Sequence, residues 1–361
     1  MEERREHHPF HMYDAILAQP EAFASVLGRN GAAVDEFAAG ASSCGRLFIV
    51  GIGTSYHAAR IGEHLFREYG GGIDVRAVHS FDFALFGPNL APVDCVVGVS
   101  HRGTKRYTAQ ALQRAREAGC RTALVTGNGG MVSVEADAVF RTVAQERSSA
   151  HTVSYTTAVS VLANLAGRIG YHRTGSEAFG EDLLREELPV ALREALGAEE
   201  KVESLAREHV ERRRIWLLGG GPSAVTAEEV ALKIKETSYL QAEGMSTETM
   251  LHGPFQCVEA EDLFVLIAPV GAAQGRTLEV AELVDEVGGA CLIVGDGTVD
   301  SARERRQFLD VPEVPEPFGA LTCLAPLQLF AYHLALARGT NPDSFRAEDP
   351  RFARADVSGR L

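Results

Sequence analysis

Short, continuous apolar runs alternate along the chain with longer stretches whose apolar residues recur at helical spacing. LFIVGI (47–52), GIDVRAVH (72–79), CVVGVS (95–100), TALVTG (122–127) and AVFRTV (138–143) read as strands. YHAARIGEHLFREYG (56–70) and YTAQALQRAREAG (107–119) read as helices that end at glycine. Unbroken apolar strands separated by helices predict an α/β fold with a parallel sheet covered on both faces. Ligands of such sheets sit at the C-terminal strand ends. SSAHTVSYTTAVSVLANLAGRIGYHR (148–173) predicts a long closing helix, and GALTCLAPLQLFAYHLALARG (319–339) predicts a second.

The pattern occurs twice. RLFIVGIGTS (46–55) matches RIWLLGGGPS (214–223), an offset of 168, pairing Arg46 with Arg214, Gly51 with Gly219, Gly53 with Gly221 and Ser55 with Ser223. In the same register DCVVGVSHRG (94–103) falls on DLFVLIAPVG (262–271), and TALVTG falls on ACLIVG (290–295). Three matches at one offset predict two copies of one fold, which also suits a chain of 361 residues. The expected organisation is an N-terminal helical segment (1–30), a first domain (31–170), a helical connector (171–210), a second domain (211–340) and a C-terminal tail (341–361).

Composition narrows the partners. A net charge of −14 disfavours nucleic acid. No run approaches the roughly 20 apolar residues of a membrane span, and the charged start MEERREHHPF lacks a signal-peptide core. The six cysteines form no CxxC and mostly lie in apolar runs, so buried, reduced thiols of a cytoplasmic protein are expected. Against this acidic background GVSHRGTKRYT (98–108) stands out. It joins a strand to a helix through glycine, a setting where free N–H groups and the helix dipole favour an anion, and it adds His101, Arg102, Lys105 and Arg106. The plainer reading leaves Arg102 and Lys105 in solvent.

The turn GIGTSYHAAR (51–60) offers Gly53 for close backbone approach and the hydroxyls of Thr54 and Ser55 at a helix start, where they also serve as ordinary caps. A dinucleotide fingerprint needs a third glycine where this chain has Tyr56 and, in the second copy, Ala224. Nicotinamide chemistry is therefore disfavoured, and neither cofactor nor metal is expected. Chemistry concentrates in EEVALKIKETSYLQAEGMSTETMLHGP (228–254). Lys233 and Glu236 lie three apart on one helix face, with Glu229 four before Lys233. Aldose–ketose interconversion needs a base to carry a proton between C1 and C2, a cation to steady the enediolate, and an acid to open the ring. Glu236, Lys233 and His252 have the right chemistry; a solvated salt-bridge face is the alternative.

These residues carry a resemblance. ALKIKE, an acid-containing turn and HGP resemble the tandem sugar isomerase (SIS) family, in particular the isomerase half of glucosamine-6-phosphate synthase and the stand-alone phosphosugar isomerases, aminosugar-phosphate deaminases and fructosamine deglycases. The similarity runs from MYDAILAQPEAF (12–23) to ARGTNPDSFR (337–346). It implies two flavodoxin-like five-stranded domains, Glu236 as enolisation base with Lys233 beside it, and His252 in ring opening. It also implies a homodimer in which His252 reaches the neighbouring subunit's site. It places phosphate binding at Gly53, Thr54 and Ser55, at Ser100, His101, Arg102, Gly103 and Lys105, and at Ser149, Ala150, His151 and Thr152. The family's hydroxyl-rich SQSGET turn is here SHRGTK, and a GVASTK-type loop is SSAHTV with Val153 for lysine. No glutaminase half is expected, so ammonia is not drawn from glutamine by the synthase route. The tail lysine is missing, leaving Arg346, Arg351 and Arg354 as tail cations. A phosphosugar isomerase or aminosugar-phosphate deaminase is the expected function. The alternatives are a non-catalytic phosphosugar-binding regulator, marked elsewhere by a helix-turn-helix that is not evident here, and a fructosamine-phosphate deglycase.

Overall fold

The computed structural model describes residues 4–180, 182–295 and 305–355. In chain order the elements are α1 (His11–Leu17), α2 (Gln19–Ala41), β1 (Arg46–Gly51), α3 (Thr54–Tyr69), β2 (Asp74–His79), α4 (Ser80–Phe86), β3 (Cys95–Val99), α5 (Arg106–Glu117), β4 (Arg121–Asn128), β5 (Ala138–Ala144), α6 (Val153–Thr174), α7 (Leu188–Leu196), α8 (Glu199–His209), β6 (Ile215–Gly219), α9 (Pro222–Thr237), β7 (Ala242–Ser246), α10 (Thr247–Leu251), β8 (Leu263–Ala268), α11 (Gln274–Val287), β9 (Ala290–Gly295), β10 (Arg306–Asp310), α12 (Glu316–Ala337) and α13 (Pro350–Ala355). They form two compact units. One takes Ala18–Glu146 and Val153–Pro189; the other takes residues through Leu17, Arg147–Thr152 and, of the described residues, those from Val190 to Ala355.

Each unit holds one all-parallel five-stranded sheet. The orders are β2-β1-β3-β4-β5 and β7-β6-β8-β9-β10, the same topology twice. The cores repeat at the sequence offset: Phe48, Val50, Val96 and Leu112 in the first unit correspond to Trp216, Leu218, Phe264 and Val280 in the second, all buried. The chain order reverses between β1 and β3, and between β6 and β8. These are the switch points where open parallel sheets bind ligands.

Three expectations need correction. Helix α6 starts at Val153, so 148–152 approach it in non-helical conformation; Glu146 caps its start by accepting the Ser154 N–H at 2.8 Å. Helix α12 is long and apolar enough by composition to cross a bilayer, but 89% of its most apolar window is buried inside the protein, which marks a core helix. Of the six cysteines, Cys257 is exposed and Cys44 half-buried; the other four are buried.

Candidate active site

In each unit the switch-point turn is built on strained glycine. Gly53 precedes α3 with φ 56° and ψ −131°, and Gly221 precedes α9 with φ 54° and ψ −124°. The missing third glycine does not hold the helices away, because an earlier one admits them. A Cβ on Gly51 would lie 2.4 Å from the Ser55 carbonyl oxygen, and one on Gly219 would lie 2.6 Å from the Ser223 carbonyl carbon. Thr54 and Ser55 thus start α3 directly above the end of β1.

The Ser100–Lys105 turn follows β3. Gly103 has φ 70°, and a Cβ there would meet the Met131 carbonyl oxygen at 1.7 Å, so this position admits only glycine. The Ser100 hydroxyl is buried and has no hydrogen-bond partner among the described residues, an unusual state that a bound acceptor or donor would relieve. Lys105 is the residue before α5 and is half-buried; burial, and then repulsion from Arg102, hold its ammonium below its ordinary value. Arg102 is exposed, and Arg106 stacks on the Tyr107 ring. His101 is not a cation of this turn. It is 8% exposed, and its Nε2 accepts the Glu146 N–H at 3.1 Å. Burial, followed by the Arg102 charge, pushes its pKa down to about 4. Its carbonyl collects donors from Gly127 N–H, Gln145 and Thr126, so His101 fastens the turn to β4.

The second copy answers its own anion site. In the second unit the Ala272 N–H, at the entrance to α11, donates to a Glu316 carboxylate oxygen at 2.8 Å. The cleft of Gly220, Ser223, Ala268, Ala273 and Glu316 is closed to about 10 Å³, room for one water at most. Glu316 lies 168 residues after Ser148, so the carboxylate of one copy replaces a hydroxyl in the other. The offset register was the signal that would have found Glu316.

Also in the second unit, α9 carries the buried charges. Lys233 is 1% exposed, with its Nζ 2.6 Å from Glu236 Oε2 and 3.5 Å from Glu229 Oε1. Glu229 is fully buried, whereas Glu236 is 21% exposed, so only Glu236 reaches solvent. The salt-bridge-face reading fails on this burial. Glu229 was legible as part of the stripe but not as a sealed counter-charge. Thr226 and Thr237 donate to the carbonyls of Ala320 and Ala331, each partner 94 residues on, which locks α9 and α12 parallel and fixes the height of Lys233. Gln328 on α12 is a residue that sequence reasoning missed: its amide is fully buried without a partner among the described residues.

His252, at the end of α10, is 77% exposed and 3.2 Å from Glu248. No described contact joins it to Glu236. Ser149 donates its N–H to the Asp343 carbonyl at 3.0 Å; Ala150 and Thr152 are buried and His151 half-buried. These four group with the second unit. In the tail, the Arg346 guanidinium sits between the Tyr239 and Phe352 rings, at 5.1 and 4.3 Å, and Arg351 pairs with Asp349. Arg354 is exposed on α13.

The SIS domain family pattern matches residues 42–167 and 210–338. Glutamine–fructose-6-phosphate aminotransferase (isomerizing) from Pyrococcus horikoshii is 31% identical over 340 residues, which is 92% of this chain and 56% of that protein. The chain thus spans about half the length of the curated relatives it matches. The C-terminal domain of glucosamine-fructose-6-phosphate aminotransferase from Francisella tularensis has a TM-score of 0.82 at 20% identity, covering 93% of this chain and 98% of that one. Tagatose-6-phosphate ketose/aldose isomerase from Escherichia coli has a TM-score of 0.77 at 19% identity, covering 93% and 95%.

Proposed function

The chain belongs to the SIS domain family, and from that premise we propose that it is an enzyme that enolises a phosphorylated sugar or amino sugar. The product is either the isomeric aldose or ketose, or the deaminated sugar. The observation that carries this reading is the buried Lys233 bracketed by Glu229 and Glu236, of which Glu236 alone reaches solvent. Burying an ammonium with two carboxylates is costly and gives little net stability, so a chemical use is the better account of it. Glu236 takes the proton from one carbon and returns it to the next. Lys233 holds Glu236 in place and steadies negative charge as the enediolate forms. The Ser100–Lys105 turn holds the phosphate through the Ser100 hydroxyl, the turn's N–H groups and the Lys105 and Arg102 charges.

His252 acts in ring opening from a neighbouring subunit of a homodimer. Its 77% exposure on its own chain supports that role. Mixing inactive Glu236→Gln and His252→Ala subunits then restores activity; absence of rescue after proven subunit exchange contradicts it. The function itself is tested by a thermal-shift screen of hexose, hexosamine and fructosamine 6-phosphates, followed by proton NMR in deuterium oxide with each stabilising ligand. Deuterium entering C1 or C2 supports enolisation. Stabilisation without any exchange identifies a sugar-phosphate-binding regulator instead.

A further inference from the structure

A short segment after α12 joins the end of α9 to the Ser149–Thr152 loop. At one end the Thr340 hydroxyl donates to the Thr237 carbonyl at 2.7 Å, one residue beyond Glu236. At the other the Asp343 carbonyl accepts the Ser149 N–H at 3.0 Å. From Thr340 to Asp343 the backbone spans at most about 11 Å, so the end of α9 and the start of the loop are held at short range. All of these residues lie within the second unit.

Asp343 is itself pinned through its other polar groups. Its two carboxylate oxygens accept the His11 and Met12 N–H groups, each at 2.9 Å. These are the first two residues of α1, where unpaired N–H groups favour a carboxylate. The Asp343 N–H donates to the Asn341 side-chain oxygen at 2.9 Å, closing an Asx turn, and the Asn341 amide donates to the Arg5 carbonyl at 3.0 Å. Helix α1 is a firm anchor. Its Met12 and Ile16 are fully buried, and just before it the buried Phe10 donates its N–H to the Tyr332 hydroxyl of α12 at 3.2 Å. Helix α12 is in turn locked to α9 by Thr226 and Thr237. The Asp343 carboxylate therefore ties the loop to the frame that carries Lys233 and Glu236.

We propose that Asp343 is a positioning residue: its carboxylate, bound to α1, fixes the carbonyl that holds the Ser149–Thr152 loop ready for the sugar phosphate. The proposal rests on the enolisation reading and adds a residue to it. The carboxylate acts through α1 and the backbone, not by contact with the sugar. With it in place the loop is ordered before the ligand arrives. Without it the loop occupies its binding position for only part of the time, and the apparent affinity falls by that fraction. The proton-transfer step is spared, because Lys233 and Glu236 keep their own contact on α9. The signature is weaker binding with an intact chemical step.

The test compares the intact wild-type chain with Asp343→Ala and Asp343→Asn. Asparagine caps helices well and keeps one acceptor, so the second variant decides if the first does not fold. Peptide-resolved hydrogen exchange without ligand reads the tie. The 6-phosphates of fructose, glucosamine and fructosamine are the probes, read by calorimetric Kd and by the rate of deuterium entry at saturation. In Asp343→Ala, exchange at Ser149–Thr152 should quicken while β6 and β8 stay protected. The Kd should rise about ten-fold, with the saturating rate within about three-fold of wild type. Asp343→Asn should show the same changes in smaller degree. A merely structural role would lower the folded fraction and leave the Kd of the folded protein unchanged. Unchanged loop exchange, or an unchanged Kd for a probe that the wild type binds, overturns the proposal and leaves the enolisation reading standing. A wild type that binds none of the probes overturns that reading and the proposal with it.

Discussion

Gly53 and Gly221, 168 residues apart, hold the same backbone conformation, φ 56° with ψ −131° and φ 54° with ψ −124°. Side-chain-bearing residues avoid this region, so both copies keep glycine at the point where a strand hands over to its helix. A Cβ on Gly53 meets nothing within 4 Å, whereas one on Gly103 collides with the Met131 carbonyl. Gly53→Ala therefore carries only the conformational cost, about 1–3 kcal/mol. Gly103→Ala carries that cost and a backbone clash as well. Denaturant unfolding of the two variants should rank Gly103→Ala as clearly the less stable; equal loss would contradict the described turn.

Ser100 separates binding from stability. Its hydroxyl has no partner among the described residues, so Ser100→Ala should leave the melting temperature unchanged or slightly raised. The same change should weaken a sugar phosphate and leave the unphosphorylated sugar unaffected. Arg102→Ala and Lys105→Ala should each raise the calorimetric Kd of the phosphate about ten-fold, since a charge-assisted contact is worth about 1.5–3 kcal/mol. Unchanged affinity in all three variants would contradict phosphate binding at this turn.

The parallel sheets, their order and their duplication were legible because buried strands leave continuous apolar runs and because one offset aligned three of them. The start of α6 was not. SSAHT carries no periodicity against helix, and the Glu146 cap at Ser154 acts from outside the predicted helix. The stripe of Glu229, Lys233 and Glu236 was readable from spacing, but its burial comes from α12, held to α9 by the Thr226 and Thr237 hydroxyls. His101 shows the reverse. Its neighbours in sequence are cations, which suggested a binding role, yet the fold turns its ring inward to the Glu146 N–H.

That inward ring gives a pH signature. His101 has a pKa of about 4 in the folded chain against an ordinary value of 6.5. As pH falls, the unfolded chain takes up this proton first, so stability is lost between pH 6.5 and 4 and the loss levels off below 4. The shift corresponds to about 3 kcal/mol. His101→Gln retains an acceptor for Glu146 and does not titrate. Its melting temperature, subtracted from that of the wild type across this window, should fall on the wild-type side as acid is added; a flat difference would show that His101 is not held neutral.

The central claim is that Glu236 moves the proton, and solvent exchange reads that step without regard to the final product. With any sugar phosphate that stabilises the protein, the wild type should place solvent deuterium at C1 or C2. Glu236→Gln removes the base and keeps the size of the side chain beside Lys233. The account predicts a folded variant that still binds the sugar phosphate, with exchange reduced by about 10²–10⁴-fold, the usual contribution of a general base. A folded, ligand-binding Glu236→Gln protein that exchanges at the wild-type rate would contradict it.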